Sequence, residues 1–241
     1  MLIAGFPAGP WGTNCYVVAT GPGSECVVID PGKDAADGVA EVVREHRLKP
    51  VAVLVTHGHV DHMWCVAPVA GTYDATAWIH PDDRHLLANP MAGISRETAQ
   101  MMLGGRHEFA EPDDVRELTD AQQLELAGLT FTVDHTPGHT RGSVTFRSPW
   151  DSTDPASEGI SEVMFSGDLL FQGSIGRTDL PGGDHATMLH SLRTKVLTLA
   201  DDIVVLPGHG DQTSIGRERA TNPYLLDLQG DEQVGRVTRG L

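Results

Sequence analysis

The residues Thr56-His57-Gly58-His59-Val60-Asp61-His62 concentrate three imidazoles and a carboxylate directly after the apolar run Val51-Ala52-Val53-Leu54-Val55. That run, with Pro50 before it, reads as a buried strand, so the donors stand where a strand gives way to a loop. Imidazole nitrogen and carboxylate oxygen are the ligands preferred by a divalent transition metal such as zinc, which usually takes about four. Four donors on one short loop do not all reach one ion comfortably, and two ions sharing the loop is the simpler arrangement. A His-x-His pair alone weighs little, because such pairs are common on surfaces. The longer His-x-His-x-Asp-His pattern is more specific, and three later turns add donors of the same kind. His139 stands in the turn Thr136-Pro137-Gly138-His139-Thr140, Asp168 ends Met164-Phe165-Ser166-Gly167-Asp168, and His209 follows Val204-Val205-Leu206-Pro207-Gly208. Each is an apolar run, a glycine-containing turn and one metal-competent side chain.

Bringing such separated donors together requires several strands to end side by side. Residues 14–19 and 25–29 read as two strands of a hairpin about Gly21-Pro22-Gly23, closed by Asp30-Pro31-Gly32. Residues 34–46 put Val39, Val42 and Val43 on one face of an amphipathic helix that leads into the strand before the donor loop. Strand, helix, strand, then ligands implies an α/β protein. Further on, the pattern predicts a short apolar helix from Met63 with Pro68 near one end, and a strand over 76–79. It also predicts a hairpin over 124–133 about Ala127-Gly128, a strand over 142–146 and a solvated loop over 148–162. An irregular glycine-rich segment over 171–179 follows, then a helix over 184–200 and a short helix over 216–219. Residues 89–114, with Met91, Met101 and Met102 among Gly93, Gly104 and Gly105, read as a surface helix with a loose rim or as a lid over the donors.

The chain of 241 residues suits one domain over 1–228 with a flexible tail over 229–241. Its formal net charge of −16, from 17 basic against 33 acidic residues, disfavours a phosphate backbone as partner. The N-terminus has no basic leader and Pro7 and Pro10 interrupt it, so neither a signal peptide nor a membrane span is expected. Cys15, Cys26 and Cys65 are an odd, scattered set that fits reduced thiols in the cytoplasm. Cys65, close to the donor loop, reads as a small buried hydrophobe. His46, His80, His85, His107, His135 and His190 read as surface or packing residues, while His185 is a candidate for lining a pocket. Asp30 is placed to bring a carboxylate beneath a metal-binding imidazole.

Taken in order, from about Thr13 to Tyr224, these motifs resemble the metallo-β-lactamase superfamily of binuclear hydrolases. The resemblance implies a four-layer αββα sandwich. It also implies that His57, His59 and His139 hold one divalent ion, that Asp61, His62 and His209 hold a second, and that Asp168 bridges them. Zinc is the first expectation, with iron or manganese open. A bridging hydroxide, oriented by Asp61, would attack a carbonyl, and no Gly-x-Ser-x-Gly element supplies a side-chain nucleophile. The aspartate at 168 is unlike the commonest zinc β-lactamases. Gly167-Asp168-Leu169-Leu170-Phe171 followed by Gly173-Ser174-Ile175-Gly176-Arg177-Thr178-Asp179 is similar to glyoxalase II, which hydrolyses S-acylated glutathione. Pro207-Gly208-His209-Gly210 and Asn222-Pro223-Tyr224 resemble its short bacterial branch. By that resemblance Arg177 contacts the thiol carrier of a small-molecule thioester. Two departures stand out: a sequence of this length is not expected to hold the helical C-terminal domain of the longer enzymes, and Asp179 stands in place of their tyrosine. Gly176-Arg177-Thr178-Asp179 also resembles persulfide dioxygenases, which use a single iron held by two histidines and an aspartate. A lactone or other carbonyl ester is a further substrate class, and a non-catalytic binding module a third kind of role.

Overall fold

The computed structural model describes residues 1–95, 108–150 and 158–238, with side chains described as far as residue 230. The first half runs β1 (Leu2–Ala8), β2 (Thr13–Ala19), β3 (Glu25–Ile29), α1 (Ala35–His46), β4 (Lys49–Leu54), α2 (Val60–Met63) and α3 (Val66–Tyr73). It closes with β5 (Thr76–Ile79), α4 (Pro81–Ala88) and β6 (Val115–Glu117). The second half contains β7 (Gln123–Leu126), β8 (Leu129–His135), β9 (Val144–Pro149), β10 (Glu162–Gly167) and the small hairpin β11 (Leu170–Phe171) and β12 (Ser174–Ile175). After it come α5 (His185–Ser191), β13 (Val204–Pro207), β14 (Thr213–Ser214), α6 (Ile215–Thr221) and α7 (Pro223–Thr238).

The strands form two six-stranded sheets, ordered β1-β2-β3-β4-β5-β6 and β14-β13-β10-β9-β8-β7. In the first, β3, β4, β5 and β6 are mutually parallel, joined by crossover helices; in the second only β10 and β13 pair in parallel. Alternation along β2 shows how the layers arise. Cys15, Val17 and Ala19 pack outward with Ala35 and Val39 of α1 and Val66 and Val69 of α3. Tyr16 and Val18 point the other way, toward Phe131, Phe146 and Phe165 of the second sheet. A third apolar cluster lies on the far side of that sheet, where Met164 and Val205 meet Met188, Leu192, Ile215 and Leu225. Three apolar layers between helices, sheet, sheet and helices make a four-layer αββα sandwich. Each fully buried phenylalanine of the middle layer contributes about 1.5–3 kcal/mol relative to exposure.

Several elements differ from the sequence pattern. β1 is a full edge strand, although Gly5 and Pro7 weaken its strand signal; an edge tolerates proline because one side of it needs no ladder partner. The helix expected over 184–200 stops as an α-helix at Ser191 and widens into a π-helical turn over Leu192–Val196. Met188, Leu192 and Val196 are all buried at a spacing of four, and a turn wider than 3.6 residues keeps that spacing on one face. α4 was not marked by an apolar stripe; His80 caps it and Pro81 starts it. α7 continues through Gln229 to Thr238, so most of the stretch expected as a frayed tail is helical. Of residues 89–114, Pro90–Gly93 form a 3-10 turn, and Met101, Met102, Gly104, Gly105 and His107 lie outside the described residues. Part of the loop expected over 148–162 also lies outside them, while β9 runs on to Pro149. Among the described residues no helix is long and apolar enough to cross a membrane.

Candidate metal centre

All seven predicted donors lie beyond the C-terminal ends of four strands: in the loop after β4 and the short α2 that follows it, in the β8–β9 turn, and in the residues following β10 and β13. Register brings the last two together. Gly167 of β10 stands beside Pro207 of β13, so Asp168 and His209 emerge next to one another. The start of β2 fastens the 207–210 turn, through Asn14 N donating to Gly208 O at 2.7 Å and Asn14 Nδ2 to Pro207 O at 3.0 Å.

Two trios result. His139 Nε2 is 2.8 Å from His59 Nδ1 and 3.2 Å from His57 Nε2. His209 Nε2 is 3.3 Å from His62 Nε2 and 3.1 Å from Asp61 Oδ2. Asp168 stands between them, with Oδ1 3.3 Å from His62 Nε2 and Oδ2 3.4 Å from His139 Nε2. His57, His59, His62 and His139 are buried, while His209 and Asp61 face the cleft. Donor spacings of this order suit atoms that share one small cation at about 2.0–2.2 Å each.

Outer partners fix which nitrogen of four imidazoles turns inward as a lone pair. His139 Nδ1 meets the carbonyl of Arg177 at 2.7 Å, and His209 Nδ1 meets that of Trp11 at 3.2 Å. A carbonyl only accepts, so both Nδ1 atoms carry the proton and both Nε2 atoms are free to ligate. His62 Nδ1 meets Asp30 Oδ2 at 2.9 Å with the same consequence. His57 is held through a relay. Thr56 Oγ1 donates to Asp30 Oδ2 at 2.6 Å and is therefore left to accept from His57 Nδ1 at 3.1 Å. Asp30, with φ 49° in the left-handed region that Asp tolerates better than most residues, also accepts from Thr56 N at 2.8 Å. The carboxylate thus orients two imidazoles, one of them through a threonine that sequence pattern did not single out. Nor did it indicate the Arg177 and Trp11 carbonyls, since main-chain groups carry no residue-type signal.

The electrostatics ask for positive charge at the centre. Burial, and then the neighbouring imidazoles, hold His57 well below the ordinary histidine value, and His59 down to about 3. Burial also opposes charge on His62, but Asp168, Asp61 and Asp30 outweigh it and hold its pKa well above the ordinary histidine value. Burial pushes Asp168 up, yet His62, His139 and His209 hold it down to about 2, so it stays ionised. Asp61 is likewise held below the carboxylate range by His62 and His209 against the effect of burial. The carboxylate atom Asp168 Oδ1 is buried and makes no hydrogen bond of normal geometry, with His62 Nε2 3.3 Å away. An ionised oxygen in that position is costly unless a cation faces it, and the residues present fit a pair of metal ions.

Close packing protects the geometry. A side chain at Gly176 would come 1.8 Å from the carbonyl oxygen of Asp168, and one at Gly208 would come 2.3 Å from Asp168 Oδ1. Beside the donors lies a cleft of about 480 Å³ walled by Trp11, Ile94, Phe171, Ile175 and Leu180. Arg177 stands at its mouth, largely exposed, with Nε 2.7 Å from Asp179 Oδ1 and Nη2 2.8 Å from Asp179 Oδ2. His185 is exposed beside Thr178 and is not among the cleft walls. His80, Asp82 and His135 form a separate donor group. Its two rings are stacked 4.0 Å apart at 10°, so their in-plane lone pairs run side by side rather than converge. Cys65 is buried in the first apolar cluster, as a hydrophobe would be.

Residues 8–152 and 156–209 match the sequence model of the metallo-beta-lactamase superfamily. The chain belongs to that superfamily. Among metallo-β-lactamase superfamily relatives, an uncharacterized protein of Mycobacterium tuberculosis is 45% identical over 95% of this chain and 99% of its own. The hydroxyacylglutathione hydrolase GloC of Haemophilus influenzae is 33% identical over 93% of this chain and 98% of its own. Among solved structures of the superfamily, the B3 metallo-beta-lactamase BLEG-1 is 38% identical with a TM-score of 0.78, covering 93% of this chain and 99% of that one. A protein crystallised in a di-iron-bound form is 35% identical with a TM-score of 0.71, covering 93% and 100%.

Proposed function

We propose that this metallo-hydrolase superfamily member is a binuclear enzyme that hydrolyses thioesters of a low-molecular-weight thiol. One observation carries the reading: four imidazole lone pairs, each fixed from outside, converge in two trios with Asp61, and the carboxylate of Asp168 stands between the trios. In this reading His57, His59 and His139 hold one divalent ion, Asp61, His62 and His209 the other, and Asp168 reaches both. Zinc suits these donors, as do iron and manganese, and the di-iron form of the 35%-identical protein keeps iron in view. When bound, such a pair lowers the pKa of a water to near neutrality and polarises a carbonyl.

The chain's own residues do the rest. Thr13 Oγ1 donates to Asp61 Oδ2 at 3.2 Å, which restrains the carboxylate that would orient the attacking water. Trp11, Ile94, Phe171, Ile175 and Leu180 exclude bulk water from the acyl group. Water oxygen adds to the carbonyl carbon and its two protons pass to solvent, the carbon–sulfur bond breaks, the sulfur leaves as thiolate and the acyl group leaves as a carboxylate. Among the described cleft walls no neutral acid is placed to protonate a leaving group. A thiol of pKa about 8.5 leaves without one, whereas an amine does not. Arg177 offers its guanidinium to a carboxylate of the thiol carrier. The glutathione-thioester hydrolase named among the relatives supports this choice, and three buried free cysteines are in keeping with a reducing cytoplasm. A persulfide dioxygenase would need only two histidines and an aspartate around one iron, fewer donors than converge here.

The likeness to a B3 β-lactamase favours one rival, cleavage of a cyclic amide. Purified, zinc-loaded protein is assayed with S-lactoylglutathione, with a simple aryl thioester and with a chromogenic cephalosporin. The expected result is a kcat/KM for at least one thioester about 100-fold or more above that for the cephalosporin, a difference of about 2.7 kcal/mol in transition-state stabilisation. The reverse order replaces the thioesterase reading with the lactamase one. Oxygen uptake with glutathione persulfide at one iron per chain replaces both.

A further inference from the structure

The two loops that supply His57, His59 and His139 share an anchor that is not a ligand. Asp83, in the first turn of α4, is 2% exposed. Its Oδ2 accepts from Gly58 N at 2.9 Å and from Thr140 Oγ1 at 2.6 Å, and its Oδ1 accepts from Gly142 N at 2.9 Å. Gly58 lies between His57 and His59, and Thr140 follows His139 directly. One carboxylate therefore takes donors from both loops, across sequence separations of 25 and 57 residues. Three hydrogen bonds to a buried carboxylate, at the positive end of a helix, offset its desolvation.

Packing leaves the loops little slack around this anchor. A side chain at Gly58 would come 2.6 Å from Leu86 Cδ1, and one at Gly142 would come 2.7 Å from Asp83 Cγ. The other trio is served differently: Asp30 holds His62 directly, and neither Asp61 nor His209 adjoins a partner of Asp83. The two buried carboxylates thus divide the centre, although Asp30 also reaches His57 through Thr56.

We propose that Asp83 is a positioning residue for one of the two metal places, clamping the loop of His57 and His59 to the loop of His139. The inference rests on the binuclear reading and goes beyond it by assigning the two places separate supports. Its consequence is that the affinities of the two ions can be uncoupled by a residue that touches neither. Loss of an outer partner of a metal ligand commonly weakens binding about 10–100-fold.

The test compares wild type with Asp83→Ala, Asp83→Asn and Thr140→Val, each loaded with zinc and dialysed against graded chelator before metal is counted per chain. Amide exchange at Gly58 and Gly142 is measured in the metal-free proteins, so the readout does not depend on activity. Wild type is expected to hold two ions. Asp83→Ala is expected to lose one of them at about 10–100-fold lower chelator and to keep the other as wild type does. Exchange at both glycines should quicken. Asp83→Asn and Thr140→Val should shift the same ion in the same direction by less, because each spares part of the hydrogen-bond set. If Asp83→Ala does not fold, these two decide the matter by the same readouts. Variants that release both ions as wild type does overturn the proposal. So do variants that weaken both ions equally alongside a lower Tm, since that marks general stability only. A wild-type protein that holds no ion overturns the binuclear reading first, and the clamp with it.

Discussion

At the centre, each residue's role depends on what stands behind it. His139 and His209 are poised by main-chain carbonyls, His62 by Asp30, and His57 by a threonine whose hydroxyl is already committed. Arg177 plays two unrelated parts: its carbonyl fixes the tautomer of His139, and its guanidinium faces solvent at the cleft mouth. The guanidinium is already paired with Asp179, and that exposed pair is a weak competitor in water. A carboxylate on the substrate can therefore displace it. Replacing Arg177 with Ala should raise KM for S-lactoylglutathione several-fold with little change in kcat or metal content. Asp179→Asn frees the fork and should lower KM by a smaller factor. Steady-state kinetics on both variants check this pair. Unchanged KM in Arg177→Ala would leave the guanidinium with no part in substrate binding, while a rise in Asp179→Asn would mean that Asp179 itself receives a positive group.

Elements enter the chemistry by carrying these residues, and another buried carboxylate shows how. Glu218 of α6 is fully buried and accepts from Gly173 N at 2.7 Å, Thr213 Oγ1 at 2.6 Å and Asn222 Nδ2 at 2.9 Å. Asn222 in turn donates to Ser174 O at 3.0 Å. The C-terminal helices thereby fasten the β11–β12 hairpin, which brings Phe171 and Ile175 to the cleft wall and leads into Arg177. Glu218→Gln keeps the shape but turns one acceptor into a donor against existing donors. It should cost about 1–3 kcal/mol of stability, raise KM, and leave two ions in place; urea unfolding, kinetics and metal counting separate the three effects. An unchanged KM would confine Glu218 to stability. Sequence pattern made the strands before the donors legible because β-branched runs end in glycine turns, and it marked the seven metal-competent side chains that the fold brings together. It did not mark Asp83, Glu218 or Thr56. A lone acid on a short helix reads as a solvated face, and only contacts across dozens of residues make it an anchor. α4 escaped for a related reason, since its apolar residues Leu86 and Leu87 are too few to form a stripe.

At the scale of the whole molecule, burying both sheets on both faces has a consequence for its pH response. Cys15 and Cys26 lie in the outer apolar layer, and Tyr16 lies between the sheets with its hydroxyl donating to Pro207 O at 2.7 Å. That bond ties the first sheet to the strand end that presents His209. Burial pushes the Cys26 thiol up to about 12, with Glu25 adding to it, and burial raises Cys15 well above its usual value, with Asp30 adding to it. Tyr16 is raised as well, again chiefly by burial, against the opposing effect of Asn14. In the unfolded chain the thiols release their protons near their ordinary value of 9.0, while in the folded chain Cys26 keeps its proton to about 12. The folded state therefore binds more protons in that window. Its contribution to stability is complete below about pH 9 and declines as pH rises through the folded value. Urea unfolding at constant metal concentration should give a stability that is level from pH 7 to 8.5 and falls steadily above about pH 9. A thiol reagent at pH 8 should label none of the three cysteines in the native protein and all three once it is unfolded, because each is buried. Rapid native labelling of Cys15 or Cys26 would show that the layer between α1 and the first sheet opens locally. The alkaline decline would then begin with that opening rather than with global unfolding.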